Sequence, residues 1–309
     1  MRSISVFLSF ALALGLFLGV TGCDNATNEP VLPAVTAPTN LQAISDDGKI
    51  ILTWTVSASE SQDNFGTYKV SWTNPTTGIT QTANVAKGSS TYTILGLENG
   101  VEYDIIVRSV STDGEESSDF AQIVWAPAKR FDKDVNNQVI RVYATTSNLP
   151  SMMDFYNPAS NGPEIFQLLD NTKNKNGDFF LYAANTTTPS LEIRSPSLSQ
   201  SIPGLRITKF STVSFSATDL NDPVLAQLTP PSASSYSALK IALSTGVTDK
   251  NVFYARVQGT TANDYQTVRF MLVKDASGTV VHGSGADRYV EIVLSYQDKD
   301  NVPYAKHGK

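Results

Sequence analysis

From Pro38 onward, apolar residues recur at every second position in short runs, and Gly, Pro, Asn, Asp and Ser separate the runs. A period of two puts one face of a pleated strand against a core and the other toward solvent, whereas a helix needs a period near 3.6. No stretch of this part of the chain keeps the helical period. The chain is therefore expected to be all-β, built from many short strands joined by turns.

The runs fall into two series. In the first, Pro38 to Ala43, Ile50 to Trp54, Tyr68 to Trp72, Ser90 to Ile94 and Asp104 to Val110 read as strands, with turns at Asn74 to Gly78 and at Asp113-Gly114. In the second, Gln138 to Tyr143, Asp178 to Ala183, Leu205 to Phe210, Phe253 to Gln258, Thr267 to Leu272 and Val290 to Leu294 read the same way. Asp275 to Gly278 has hairpin chemistry. The stretches Asn148 to Asn176 and Leu220 to Ser237 are rich in Asn, Pro, Ser and Gly and read as long surface loops, where binding sites are commonly built. Tolerated insertions are the competing reading, because loop length costs little.

The first series resembles the fibronectin type III family. An early Pro38, Trp54 on the second strand, Tyr68 on the third, and a Leu-x-x-Gly-x-x-Tyr element at Leu97, Gly100 and Tyr103 match that family in order and spacing. The resemblance covers residues 37–127 and implies a sandwich with Trp54, Tyr68, Leu97 and Tyr103 in its core, Tyr103 returning its hydroxyl to the backbone as a tyrosine corner. These are fold positions and name no site. The Arg-Gly-Asp tripeptide of integrin-binding members is absent from Ser111 to Ser117. What the resemblance implies is display or adhesion more than catalysis, with the role of a spacer placed ahead of the adhesive one. Residues 131–309 resemble no family and are expected to form a second, larger sandwich, jelly-roll-like or a meander.

At the other end, Arg2 precedes an apolar run from Ile4 to Val20, followed by Val20-Thr21-Gly22-Cys23. Cys23 is the single cysteine. The run has the form of a secretory signal, and the four residues are similar to the lipobox of bacterial lipoproteins, which implies cleavage after residue 22 and acylation of Cys23 with palmitate-type chains. A membrane helix or an ordinary signal peptide explains the lone cysteine less well, since an unpaired thiol is a liability in an oxidising compartment. Residues 23–36, polar and then proline-rich, read as an extended tether. The expected location is the bacterial cell envelope, at the outer membrane or cell surface in preference to the inner membrane, although Asp24 resembles an inner-membrane retention signal of enteric bacteria.

Composition agrees with a soluble body on an anchor. Charged residues make up 17% and hydrophobic ones 41% of 309 residues, and the formal net charge is −6, or −7 without the first 22 residues, which hold Arg2 and no acid. An acidic body disfavours nucleic acid. Partners are expected to be the membrane, through the lipid, and a protein or glycan ligand.

Catalytic and cofactor chemistry finds little support. The histidines are His282, in a turn-like sequence, and His307, beside the C-terminal residue Lys309; neither has metal-ligand spacing. Gly283-Ser284-Gly285 lacks a nucleophile elbow. Asp132, Asp134, Asp287, Asp298 and Asp300 lie in polar loops, and the run from Asp132 lacks the glycine and acid that a calcium loop needs, with Tyr143 at its twelfth place. The reading is a non-catalytic envelope lipoprotein with no cofactor. Its alternative is a carbohydrate-binding module or a glycan-active enzyme of unfamiliar pattern, using Tyr143, Tyr182, Tyr254, Tyr265 and Tyr289 as stacking platforms; a planar row of these would favour it. A haem- or metal-scavenging lipoprotein is a minor alternative, with His282, Met152, Met153 and Met271 as candidate ligands.

Overall fold

Alternation of apolar and polar residues along the first series produces seven strands: β1 (Thr39–Asp46), β2 (Lys49–Thr55), β3 (Phe65–Thr73), β4 (Thr80–Ala86), β5 (Thr91–Leu95), β6 (Tyr103–Ser111) and β7 (Ala121–Trp125). In the computed structural model, which describes residues 33–226, 230–261 and 263–303, they pair antiparallel into a three-stranded sheet, β1-β2-β5, and a four-stranded sheet, β4-β3-β6-β7. The signal segment, Cys23, most of the tether and His307 lie outside the described residues.

The inward residues of the two sheets meet. Ile50, Leu52 and Trp54 of β2 face Tyr68, Val70 and Trp72 of β3 and Ile105 and Val107 of β6, all buried. Each aliphatic side chain removed from water in this way contributes roughly 1.5–3 kcal/mol. Trp54 and Phe65 meet the ring of Tyr68 edge-on at 5.5 and 5.1 Å. The hydroxyls of both buried tyrosines accept backbone donors: Tyr68 from the Ser57 N–H at 2.9 Å, Tyr103 from the Glu98 N–H at 3.0 Å. Leu97 is buried in the same core.

The second series continues without a break. β8 (Lys129–Phe131) begins four residues after β7 ends, and the residues between include the fully buried Ala126 and Ala128. Then follow β9 (Ile140–Tyr143), β10 (Met152–Asn157), β11 (Gly162–Phe166), β12 (Phe179–Tyr182), β13 (Ser190–Arg194), β14 (Lys209–Phe215), a short helix α1 (Pro223–Ala226), β15 (Tyr236–Ala238), β16 (Lys240–Ser244), β17 (Val252–Gln258), β18 (Tyr265–Leu272) and β19 (Tyr289–Gln297). A seven-stranded sheet has the order β15-β14-β17-β18-β19-β8, with β9 also paired to β19; a five-stranded sheet has the order β11-β10-β12-β13-β16. The chain is thus an all-β fold of two sandwiches. β17, β18 and β19 form an antiparallel meander.

One core lies between these larger sheets. Phe155, Phe179, Leu181 and Ile193 from one side meet Phe210, Phe253, Phe270, Ile292 and Leu294 from the other. Two stretches read as loops hold strands. Asn148 to Asn176 contains β10 and β11, whose Met152, Met153, Asp154 and Phe155 are consecutive and all buried. Burial on both faces removes the alternation by which an exposed strand is recognised. Leu220 to Ser237 contains α1 and the start of β15, and the strand expected at Leu205 begins only at Lys209.

The outer face of β17 to β19 is covered too. Residues 217–225 lay Ala217, Leu220 and Leu225 on Val252 and Met271. Tyr236 and Tyr254 belong to the apolar cluster of the first sandwich. Tyr254, expected as an exposed aromatic, is 2% exposed for that reason. Arg130 ties the parts together: Nη1 donates to the Ser45 and Leu220 carbonyls, both at 3.2 Å, Nη2 donates to Asn221 at 3.0 Å, and Nε lies 3.9 Å from Asp46. The described residues from Ala34 onward accordingly form one compact unit.

Candidate functional site

β17 alternates Ala255 and Val257 inward with Arg256 and Gln258 outward. Register sets Arg256 opposite Lys209 of β14 on one side, and Gln258 opposite Tyr265 of β18 on the other. Tyr236, at the start of β15, completes the arrangement. The Arg256 guanidinium carbon lies 3.7 Å from the centre of the Tyr265 ring and 4.3 Å from that of Tyr236, so two aromatic rings hold one cation. Burial pushes the Tyr236 phenol upward, and the charge of Arg256 opposes it.

These residues line a groove of about 590 Å³ with Arg206, Lys209, Gln258, Asn263 and Asp264, a volume usual for small-ligand sites. Among the described residues no carboxylate lies within ion-pair distance of Arg256, and its Nε is buried with no hydrogen-bond partner. The acid of the groove is spent on its own turn: Asp264 accepts from the Thr261 hydroxyl at 2.6 Å and from the Asn301 amide at 2.7 Å, bonds that lower its pKa.

Arg206 reaches from the groove to a buried pair of carboxyls. Its Nη1 donates to Asp178 Oδ1 at 3.0 Å and its Nε to the Lys175 carbonyl at 3.2 Å. Asp178 Oδ2 accepts the Phe155 N–H at 2.9 Å, and Asp154 Oδ1 accepts the Tyr156 N–H at 3.1 Å. A further hydrogen bond joins the two carboxyls. Burial raises the pKa of both, and the charge of Asp178 adds to it at Asp154, which is pushed up to about 8, while Arg206 opposes the rise at each. The pair therefore keeps one proton near neutral pH, as like charges this close cannot both ionise cheaply. The nearby Tyr296 phenol is raised as well, by burial first and by these acids second.

Such a pair can serve acid–base chemistry when a substrate reaches it. Here Asp154 is 4% and Asp178 1% exposed, and their oxygens are committed to backbone N–H groups, to Arg206 and to each other. The arrangement fixes Arg206 at the wall of the groove. A second cleft, of about 410 Å³, opens between β14 and β16 and is lined by Ser211, Ser214, Lys240, Ser244 and Lys250.

The residues singled out in the sequence disperse. The tyrosines form no single row. Tyr143 and Tyr289 pair across strands at 5.1 Å and His282 stacks on Tyr289 at 5.2 Å, but Arg141 sits over Tyr289 and Arg194 over Tyr182 at 5.3 and 3.4 Å. His282 also hydrogen-bonds the Val273 carbonyl through Nε2 at 3.0 Å. Met152, Met153 and Met271 are buried in three separate apolar clusters. Asp134 accepts from the Asn136 and Gln138 N–H groups of its own turn, Asp287 from Ser147, and Asp300 from the Thr260 N–H, while Asp298 lies 3.7 Å from Lys129. Asp154, Asp178 and Arg256 escaped the sequence reading because each stands among apolar or alternating residues without a motif. A charged residue inside an apolar run, as in Met152-Met153-Asp154-Phe155, is the signal that could have found the first.

No curated protein matches the chain. Among solved structures, the fn3 domain of human collagen alpha-1(XX) chain is 18% identical over 30% of this chain and 84% of its own, with a TM-score of 0.25. An Fn3-like protein from Clostridium thermocellum is 28% identical over 29% of this chain and 90% of its own, with a TM-score of 0.23. The Clostridium perfringens spore cortex lytic enzyme is 18% identical over 30% of this chain and 28% of its own, with a TM-score of 0.25. The family profile described as fibronectin type III domain matches residues 36–124, and over those residues the chain carries a fibronectin type III domain.

Proposed function

We propose that this is a bacterial envelope lipoprotein, acylated at Cys23, that holds a non-catalytic recognition sandwich away from the outer membrane or cell surface to bind a glycan or protein partner. The groove around Arg256 carries the reading: it is the place among the described residues where a cation held by two aromatic rings lacks an acidic partner. A charge left unpaired in a concave site is more commonly met at binding sites than in scaffolding. The fibronectin type III domain is consistent with adhesion, and its packing on the second sandwich makes it a rigid support for that groove. The non-catalytic part of the reading is supported by the commitment of the Asp154 and Asp178 oxygens within the fold.

The anchor is tested by metabolic labelling with a palmitate analogue in a bacterial host. Wild type is expected to take the label and to sediment with membranes, and Cys23→Ser to lose both; label retained by Cys23→Ser overturns the lipoprotein reading. Recognition is tested by presenting the whole acylated chain on vesicles to a glycan array and to envelope-protein extracts. Saturable binding that Arg256→Gln abolishes is expected, and binding indifferent to Arg256 would remove the groove from the account.

A further inference from the structure

We propose that the groove takes an acidic saccharide and seats a uronate carboxylate on Arg256. The inference rests on the recognition role above and names its ligand. Arg108, Arg130, Arg141, Arg194 and Arg206 each lie within 4.0 Å of an acid, and Arg269 and Arg288 donate to backbone carbonyls instead. Arg256 does not, although it is half-buried: the Tyr236 hydroxyl is its side-chain hydrogen-bond partner, and no acid meets its charge in the groove that it lines. A half-buried guanidinium without an acid gains from a ligand that brings one. A planar carboxylate matches the guanidinium fork with two parallel hydrogen bonds, which a point cation cannot offer. The rings of Tyr236 and Tyr265 fix the plane of that fork before any ligand arrives, so little orientation entropy remains to be lost on binding.

The surroundings select among anions. With Arg206 paired to Asp178, Arg256 and Lys209 still outnumber Asp264 in the groove of a chain of net charge −6, so that an acid is attracted to this place while a long phosphate polymer is repelled by the rest of the body. Gln258 and Asn263 contribute neutral amides to the same wall, which suit the alternating donors and acceptors of sugar hydroxyls. An acidic peptide would meet the cation equally well but would leave those amides with few partners.

The test is calorimetric titration of the full chain in detergent with trigalacturonate, triglucuronate and trimannuronate, and with the methyl ester of each. At least one free acid is expected to bind, its ester about ten-fold more weakly or worse, in keeping with the loss of a charge-assisted pair. Arg256→Gln is expected to reduce affinity by a similar factor, Arg256→Lys to recover part of it, and Tyr143→Ala, outside the groove, to leave it unchanged. If Arg256→Gln fails to fold, Lys209→Gln at the exposed rim keeps the question open to measurement and is expected to weaken binding about three-fold at low salt. Equal affinity for acid and ester overturns the inference and leaves glycan recognition standing. Silence toward all six sugars, with binding to oligoglutamate, overturns the saccharide and leaves an anion site; silence toward every probe removes the groove as a recognition site.

Discussion

The side-chain amide of Gln297 donates to the Pro127 carbonyl at 3.2 Å, joining the last strand of the second sandwich to the chain just beyond the first. The same carbonyl accepts the Gly100 N–H at 3.0 Å. Gln297 is fully buried, so this seam excludes water and its polar groups must find partners within it. A spacer linked by a flexible peptide would have no such requirement.

Gly100→Ala tests the seam by sterics. Gly100 has φ +80°, and a Cβ there would lie 2.0 Å from Lys299 Cγ and 2.7 Å from Gln297 Oε1. The left-handed backbone alone costs an L-residue about 1–2 kcal/mol, and displacement of Gln297 adds to it. A loss of about 2–4 kcal/mol in urea denaturation is expected; a loss below about 0.5 kcal/mol would show the seam open in solution.

Unfolding of the whole chain is expected to be one transition. All three tryptophans, Trp54, Trp72 and Trp125, lie on strands of the first sandwich, so their fluorescence reports that sandwich, while far-UV circular dichroism reports both. Coincident denaturation curves are the expected outcome. Tryptophan fluorescence that changes well before the dichroism would mean that the two sandwiches part first.

Tyr103→Phe removes the acceptor of the Glu98 N–H and leaves the ring in place. A cost of about 1–2 kcal/mol is expected, from one lost hydrogen bond and one stranded donor. Tyr68→Phe, which strands the Ser57 N–H in a fully buried site, is expected to cost at least as much. Equal stability of wild type and both variants would contradict the packing described.

The buried acid pair makes stability depend on pH. Asp154 titrates at about 8 in the folded chain against an ordinary value of 3.8. Between those values the folded state binds more protons than the unfolded one, so stability is greatest below the unfolded pKa and falls as pH rises through the folded one. A decline on the order of a few kcal/mol from pH 4 to pH 8 is expected from this group. Asp154→Asn, which copies the protonated acid, should fold at neutral pH and show a flatter profile; an unchanged profile would mean the pair holds no shared proton. Asp178→Asn is expected to behave differently, destabilising the chain at every pH because Arg206 loses its partner.

The strands of the first sandwich were readable because each buries one face, so that Ile50, Leu52 and Trp54 alternate with half-exposed residues. Its core tyrosines were readable because the Leu97, Gly100 and Tyr103 spacing is a local pattern. β10 was missed because both its faces are covered, and the position of Tyr254 because the face that covers it comes from elsewhere in the chain. The groove was illegible for a related reason: Arg256, Tyr265, Tyr236 and Arg206 come from four separate segments that only the strand register brings together. Tyr265 had been singled out for its ring, but nothing near it in sequence announces that an arginine occupies that ring.

Amide hydrogen exchange of the full chain with and without a saturating oligouronate reads occupancy of the groove segment by segment. Slowed exchange at residues 205–209, 256–258 and 263–265 is expected, with the fibronectin type III strands unchanged. Protection confined to the fibronectin type III domain, with the groove exchanging as before, would contradict it.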